Sequence, residues 1–182
     1  MSVKNIAVLV GSLREASYNR KVAREMIRLA PEGLQLKIVE IGELPLYNED
    51  LEKAVPDAWK VFRDTMREKD GMIFVTPEYN RSVPGLLKNA IDVGSRPYGK
   101  SIWNGKPGAV ASVTPGGLGA FGANHHLRQS MVFLNVPVMQ QPEAYISNIA
   151  GCFDEQGNMI SDQLKELLNN FLQSYARWVR QF

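Results

Sequence analysis

Cysteine is almost absent: Cys152 stands alone in 182 residues. An intramolecular disulfide is thereby excluded, and neither His125 nor His126 makes a metal-ligand spacing with it. The expectation is an inert, half-buried thiol and no metal. Long apolar runs are also missing, so no segment is long enough to cross a bilayer. The N-terminus lacks the charged-then-apolar pattern of a signal peptide, and the expected location is the cytoplasm. No Lys/Arg block interrupts the mild net charge of +2, which argues against nucleic acid as a partner. What is present is ordinary for a globular chain: 45% apolar and 22% charged residues, with no internal repeat, linker or low-complexity stretch. Residues 1–182 are expected to form one domain around one sizeable core.

The apolar segments alternate between two periods. Ile6–Val10 is a continuous apolar run, as a strand buried on both faces should be. A helix is expected over Tyr18–Ala30, with Val22, Ala23, Met26, Ile27 and Ala30 at helical spacing. Leu34–Glu40 reads as a second strand, Pro56–Lys69 as a helix and Gly71–Thr76 as a third strand stopped by Pro77. Pro84 opens a helix running through Val93, with Ser82 close enough to cap it. Gly108–Thr114 reads as a fourth strand, Asn124–Leu134 as a helix and Val136–Met139 as a short fifth strand. A turn at Asp154–Gly157 precedes a last helix from about Ser161, whose stripe includes Leu164, Leu168, Phe171, Tyr175 and Val179. Five strands alternating with five helices predict a three-layer α/β domain with a parallel sheet. Ligands of such sheets bind beyond the carboxyl ends of the strands, which directs attention to the loops after strands one, three and four.

The first of these loops is rich in donors. Gly11 follows strand one directly, and the helix that begins near Tyr18 offers unpaired amides and a favourable dipole to an anion. Ser12 and Ser17 add hydroxyls, Asn19 an amide, and Arg14 a charge suited to phosphate oxygens. A P-loop would need Gly-Lys-Ser/Thr five residues after Gly11, where Ala16-Ser17-Tyr18 stands. A dinucleotide fingerprint would need glycines where Leu13 and Ala16 are found. A plain strand-to-helix turn capped by Ser17 would account for Ser17 and leave Ser12 and Arg14 idle. A phosphate monoester accounts for all three.

Thr76–Gly85, after strand three, is stiffened by Pro77 and Pro84, with the amides of Glu78–Arg81 free to face the edge of a flat heteroaromatic ring. Tyr79 or Asn80 could pack or bond beside such a ring, although Tyr79 could also be simply a packing residue, and Arg81 stands open between a ligand role and a solvated charge. The glycines after strand four permit close backbone approach. Gly117, Gly119 and Gly122 match G-x-G-x-x-G with Glu143 roughly 20 residues on, but that fingerprint belongs in the first turn of its fold. His125 and His126 have no partner Ser or Cys at a telling position and read as structural or interface residues. Asp92 reads as a helix-surface or packing group.

Gly11-Ser-Leu-Arg-x-x-Ser-x-Asn19, Pro77-Glu-Tyr-Asn80, Ser82-Val-Pro-Gly85 and Leu87-Lys-Asn-Ala-Ile-Asp92 together resemble the NADPH-dependent FMN reductase family, and within it the bacterial quinone and chromate reductases with their azoreductase-like relatives. The resemblance runs to about Glu143. It implies a flavodoxin-like fold with sheet order 2-1-3-4-5, noncovalently bound FMN, NADPH or NADH as co-substrate, and a homodimer or homotetramer. Carried over by position, Ser12, Arg14, Ser17, Tyr18 and Asn19 would hold the phosphate and ribityl chain. Pro77, Glu78, Tyr79, Asn80 and Arg81 would border the isoalloxazine, with Thr114 and Gly116 at its far edge. Some relatives carry an aromatic residue where Arg81 stands, so Arg81 favours an anionic substrate or the NADPH phosphate.

The expected activity is therefore reduction of quinones and similar small oxidants (chromate, azo compounds, free flavin) in a ping-pong cycle that needs no side-chain acid or base. The alternative is an FMN-binding electron carrier or redox sensor. Carriers of that kind are usually acidic, with a phosphate loop lacking arginine, and neither feature is found here. A receiver-like signalling domain would need an acidic cluster after strand one and an aspartate after strand three, and both are missing.

Overall fold

The computed structural model describes residues 2–182. Its elements are β1 (Lys4–Val10), α1 (Tyr18–Arg28), β2 (Leu34–Ile38), α2 (Asp57–Arg67), β3 (Gly71–Thr76), α3 (Gly85–Gly94), β4 (Gly108–Val113), α4 (Phe121–Phe133), β5 (Ala144–Ile146) and α5 (Asp162–Val179). All strand pairs are parallel and the order is β2-β1-β3-β4-β5, the order that the resemblance implied. Among the described residues no helix is long and apolar enough to cross a membrane.

The continuous apolar runs are explained by two cores, one on each face of the sheet. Alternate residues Ile6, Val8, Val10, Ile73, Val75, Ala109 and Ala111 pack against Val22 and Met26 of α1 and Leu168, Phe171 and Leu172 of α5. The residues between them, Ala7, Leu9, Met72, Phe74 and Val110, pack against Trp59 and Phe62 of α2, Leu87 and Ile91 of α3 and Leu127 of α4. The period-2 alternation thus feeds both faces with hydrophobic side chains.

Tyr175 ties α5 to this frame. It is fully buried, and its hydroxyl donates to the carbonyl oxygens of Met72 at 3.1 Å and Pro107 at 3.0 Å. Burial holds the phenol protonated far above its ordinary range, so it remains a donor. Tyr175→Phe removes both bonds while keeping the ring, and is expected to cost about 1–2 kcal/mol in urea denaturation. An unchanged midpoint would show that the hydroxyl contributes nothing.

Several local expectations are corrected. The fifth strand is not Val136–Met139 but Ala144–Ile146, which pairs with Ala111–Val113. Val136–Met139 does run beside β4, with Gly108 N donating to Pro137 O and Met139 N to Gly108 O. Pro137 has no amide to extend that ladder, so it remains a single bridge. Ser82 does not cap α3 either. The N-cap is Pro84 without a side-chain bond, and the Ser82 hydroxyl lies 3.0 Å from His126 Nδ1 instead. That histidine therefore has a serine partner, brought to it by tertiary folding from 44 residues away. The turn near Asp154 is a hairpin in which Phe153 pairs with Met159.

Candidate functional site

β1, β3 and β4 lie side by side, with Val10 opposite Val75 and Thr76 opposite Ser112, so their carboxyl ends open onto one edge. An open cleft of about 250 Å³ is found there, lined by Ser12, Arg14, Ser17, Tyr18, Asn19, Pro77, Glu78, Tyr79, Val113, Thr114 and Pro115. A larger groove of about 410 Å³ lies between β2 and α2, but its lining is mostly apolar. Chemistry rather than size singles out the cleft.

Its floor is the Gly11–Asn19 turn. Gly11 is where β1 touches the β3 loop, since a Cβ there would stand 3.1 Å from Pro77 Cδ. Ser17 caps α1, its hydroxyl accepting the Arg20 amide at 3.2 Å, and the Ser12 hydroxyl accepts the Arg14 amide at 3.4 Å. Both hydroxyl groups keep their own protons free to donate. Ser12, Ser17 and Asn19 are buried, whereas Arg14 is exposed at the mouth. The amides of Leu13, Glu15, Ala16, Tyr18 and Asn19 meet no acceptor among the described residues. Asn19 Nδ2 donates to Val113 O at 3.4 Å, and its Oδ1 is buried with no partner. A buried acceptor left so costs roughly 1–3 kcal/mol unless a ligand supplies a donor. The turn thus offers hydroxyls, amides and one guanidinium to an anion, and an acceptor to a neighbouring hydroxyl.

The wall is a tight turn. Tyr79 and Ser82 exchange backbone bonds of 3.1 and 3.0 Å, while Asn80 and Arg81 both lie at positive φ, 51° and 63°. This is a type I′ turn, natural for Asn80 and strained for Arg81 by roughly 1–2 kcal/mol. Glu78 holds it. One carboxylate oxygen accepts from Arg81 Nη1 at 3.1 Å, and the other accepts the Ala123 amide at 3.1 Å. That second bond caps α4 from outside, where the helix's own N-cap, Ala120, offers no side-chain bond. The turn uses the Tyr79 amide itself, so the amides of Glu78, Asn80 and Arg81 are the ones without an acceptor among the described residues. Asn80, Arg81 and Gly116 lie outside the cleft lining; Gly116 donates its amide to Thr114 Oγ1 at 3.1 Å.

The glycine pattern after β4 has a packing cause. A Cβ on Gly122 would stand 2.7 Å from Arg81 O and 2.9 Å from Glu78 Oε2, and Gly119 sits at φ 60° against the backbone of Tyr145. Sequence reasoning registered these glycines but missed their partners and the capping role of Glu78, because both depend on contacts between residues far apart in the chain. Beyond the cleft, the Tyr145 phenol is pushed up to about 12 by burial and by the Glu143 carboxylate that it donates to at 2.7 Å. His125 Nε2, 2.9 Å away, is then left to donate to that phenol oxygen. Asp92 pairs with Lys88 at 2.8 Å on the surface of α3, as a helix-surface group should. Among the described residues no cluster could hold a metal ion.

Residues 4–151 match the NADPH-dependent FMN reductase family. The chain is 61% identical over 179 residues to a quinone reductase of Pseudomonas putida, covering 98% of this chain and 96% of that one. It is 43% identical over 175 residues to a 2-hydroxy-1,4-benzoquinone reductase of Burkholderia sp, covering 96% of each. The solved structure of FerB, a flavoenzyme NAD(P)H:(acceptor) oxidoreductase from Paracoccus denitrificans, superposes with a TM-score of 0.92 at 37% identity, covering 98% of both chains. The chain belongs to the NADPH-dependent FMN reductase family and is an FMN-dependent NAD(P)H oxidoreductase with a flavodoxin-like fold.

Proposed function

We propose that this protein reduces quinones with electrons from NAD(P)H, using FMN held in the cleft at the ends of β1, β3 and β4. The observation that carries the reading is the buried, under-satisfied polar floor: Ser12, Ser17 and an orphaned Asn19 Oδ1 beneath an exposed Arg14. The donor set fits a phosphate monoester, and the orphaned acceptor fits a ribityl hydroxyl. In this assignment Ser12, Arg14, Ser17 and the α1 amides hold the phosphate, while Tyr18 and Asn19 meet the ribityl chain. Pro77, Glu78 and Tyr79 border the ring, the free amides of Asn80 and Arg81 face its polar edge, and Thr114 and Gly116 form the far wall. FMN, when bound, supplies the hydride-accepting and electron-donating centre. The chain's own residues orient it and leave one face open to solvent. Neither histidine lines the cleft, and both Glu78 oxygens are already engaged, so no side-chain acid or base is assigned.

Use of one cleft by both co-substrates supports a ping-pong order in which the oxidised nicotinamide leaves before the oxidant enters. Parallel steady-state lines are expected, and intersecting lines would overturn that order. Chromate, azo compounds and free flavin are proposed as further oxidants of the same open face. Arg81, whose side chain is 72% exposed, is proposed to attract the anionic part of NADPH or of the oxidant. Residues 1–182 are proposed to act as a single FMN-binding domain in the cytoplasm, where one unpaired cysteine suits a reducing compartment. Self-association into a homodimer or homotetramer is supported by Val132 and Phe133, which are 80% and 83% exposed on α4.

Arg14→Met tests the cofactor assignment. Loss of charge-assisted bonds worth about 1.5–3 kcal/mol should weaken FMN binding roughly 10- to 100-fold, read by titrating apo-protein and following flavin fluorescence. A wild-type protein that stays colourless and cannot be reconstituted with FMN would overturn the whole reading.

A further inference from the structure

The family match ends at Gly151, and the chain beyond it has no role in the cleft described so far. Phe153 and Met159 close a hairpin there, with Asp154 accepting the Asn158 amide at 2.7 Å and its side-chain amide at 2.9 Å. The hairpin lies against the first turn of α1. Lys21 Nζ is 5.4 Å from the centroid of the Tyr18 ring and 5.4 Å from that of Phe153. At the tip, a Cβ on Gly157 would stand 3.6 Å from the same nitrogen. Among the described residues Lys21 makes no ion pair, so the two rings are what its charge meets. Phe153 is buried in the core shared with Val22 and Met26 of α1, and Tyr18 packs on that core while lining the cleft.

We propose that Lys21 and Phe153 are positioning residues for the cofactor cleft, the Lys21 ammonium bridging the Tyr18 ring to the C-terminal hairpin. A cation within about 6 Å of a ring centroid is attracted by the ring quadrupole. Held between two rings, it fixes the orientation of Tyr18 and the start of α1 before the ligand arrives, which lowers the ordering cost of binding. The segment after residue 151 thereby acts on the phosphate end of the site without touching it.

The inference rests on the FMN assignment above, and the test separates the two. Apo-protein is titrated with FMN, following flavin fluorescence, for Lys21→Met, Lys21→Arg and Phe153→Leu, alongside Arg14→Met. Lys21→Met keeps the aliphatic stem and is expected to weaken binding about 5- to 20-fold. Lys21→Arg, whose guanidinium also stacks on aromatic faces, should restore it to within about twofold of wild type. Phe153→Leu should match Lys21→Met, and the double variant should be no worse than either, because both remove one interaction. Lys21→Met binding FMN like wild type, while Arg14→Met does not, overturns the positioning role and leaves the cofactor assignment standing. Lys21→Met and Phe153→Leu differing in effect shows a free charge acting on the phosphate and also overturns the bridge. Wild-type binding by Arg14→Met as well overturns the cofactor assignment first. Lys21 is half-exposed, so its variant decides the matter even if Phe153→Leu fails to fold.

Discussion

Replacing Gly122 by alanine is expected to lower kcat/KM by on the order of 100-fold and to weaken FMN binding at least about tenfold, in a protein that still folds. The added Cβ would stand 2.7 Å from Arg81 O, 2.9 Å from Glu78 Oε2 and 3.3 Å from Arg81 C. Two of those atoms are backbone, so a side-chain rotation cannot relieve the contact. The turn cannot yield easily either. Asn80 and Arg81 are already at positive φ, the Tyr79–Ser82 bonds close the loop, and Glu78 fastens it to the Ala123 amide. Either α4 moves off the turn or the turn moves into the cleft that Glu78 and Tyr79 line. Overpacking of this kind costs about 1–3 kcal/mol, and a displacement of about 1 Å at a reacting centre costs about 100-fold in rate. Circular dichroism melts separate the two effects. An alanine variant with wild-type FMN affinity and kcat/KM would show that the 78–82 turn does not shape the site.

Arg63→Met should bring the largest loss of stability, about 3–5 kcal/mol, and a fall in melting temperature on the order of 10 °C. The Arg63 side chain is 5% exposed. Its guanidinium donates from Nε to Val93 O at 2.9 Å and from Nη2 to Glu52 Oε1 at 2.5 Å, and lies 5.4 Å over the Trp59 ring. One side chain therefore pins the Glu49–Lys53 3₁₀ turn and the end of α3 to α2. Removing it leaves the Glu52 carboxylate, 19% exposed, and a carbonyl without their donor. None of these residues lines the cleft, so FMN affinity should stay within about twofold of wild type by the independence of distant sites. Pairing Arg63→Met with Glu52→Leu should recover part of the loss, because the uncompensated carboxylate is then gone. A single variant that melts like wild type would show that the ion pair only offsets its own desolvation.

Much of the fold could be read from local pattern. Ile6–Val10 and Gly71–Thr76 are continuous apolar runs because β1 and β3 are interior strands with helices packed on both faces, and their bounds agree with the structure to within two residues. The stripe from Leu164 to Val179 identified α5 because one face of a helix meets one face of the sheet. The fifth strand was misplaced because its pairing depends on a partner rather than on its own residues. Val136–Met139 carries the stronger apolar pattern, yet Pro137 breaks its ladder, and Ala144–Ile146 reaches the free edge of β4. The start of α4 was misread for a similar reason: Phe121–Ala123 has no capping side chain of its own, and Glu78 supplies the cap from a distant loop.

The donors of the Gly11–Asn19 turn are contiguous, and a strand-to-helix turn presents them by local geometry, so the sequence alone determined the donor-rich floor and the order of the elements around it. Tertiary structure decided how the wall stands against that floor. The Glu78 cap on α4, the Gly122 contact and the Lys21 bridge from Tyr18 to Phe153 all join residues far apart in the chain. Local patterns follow from periodicity and propensity within a few residues. Contacts between distant segments exist once the sheet has closed and its two cores have fixed where each helix begins.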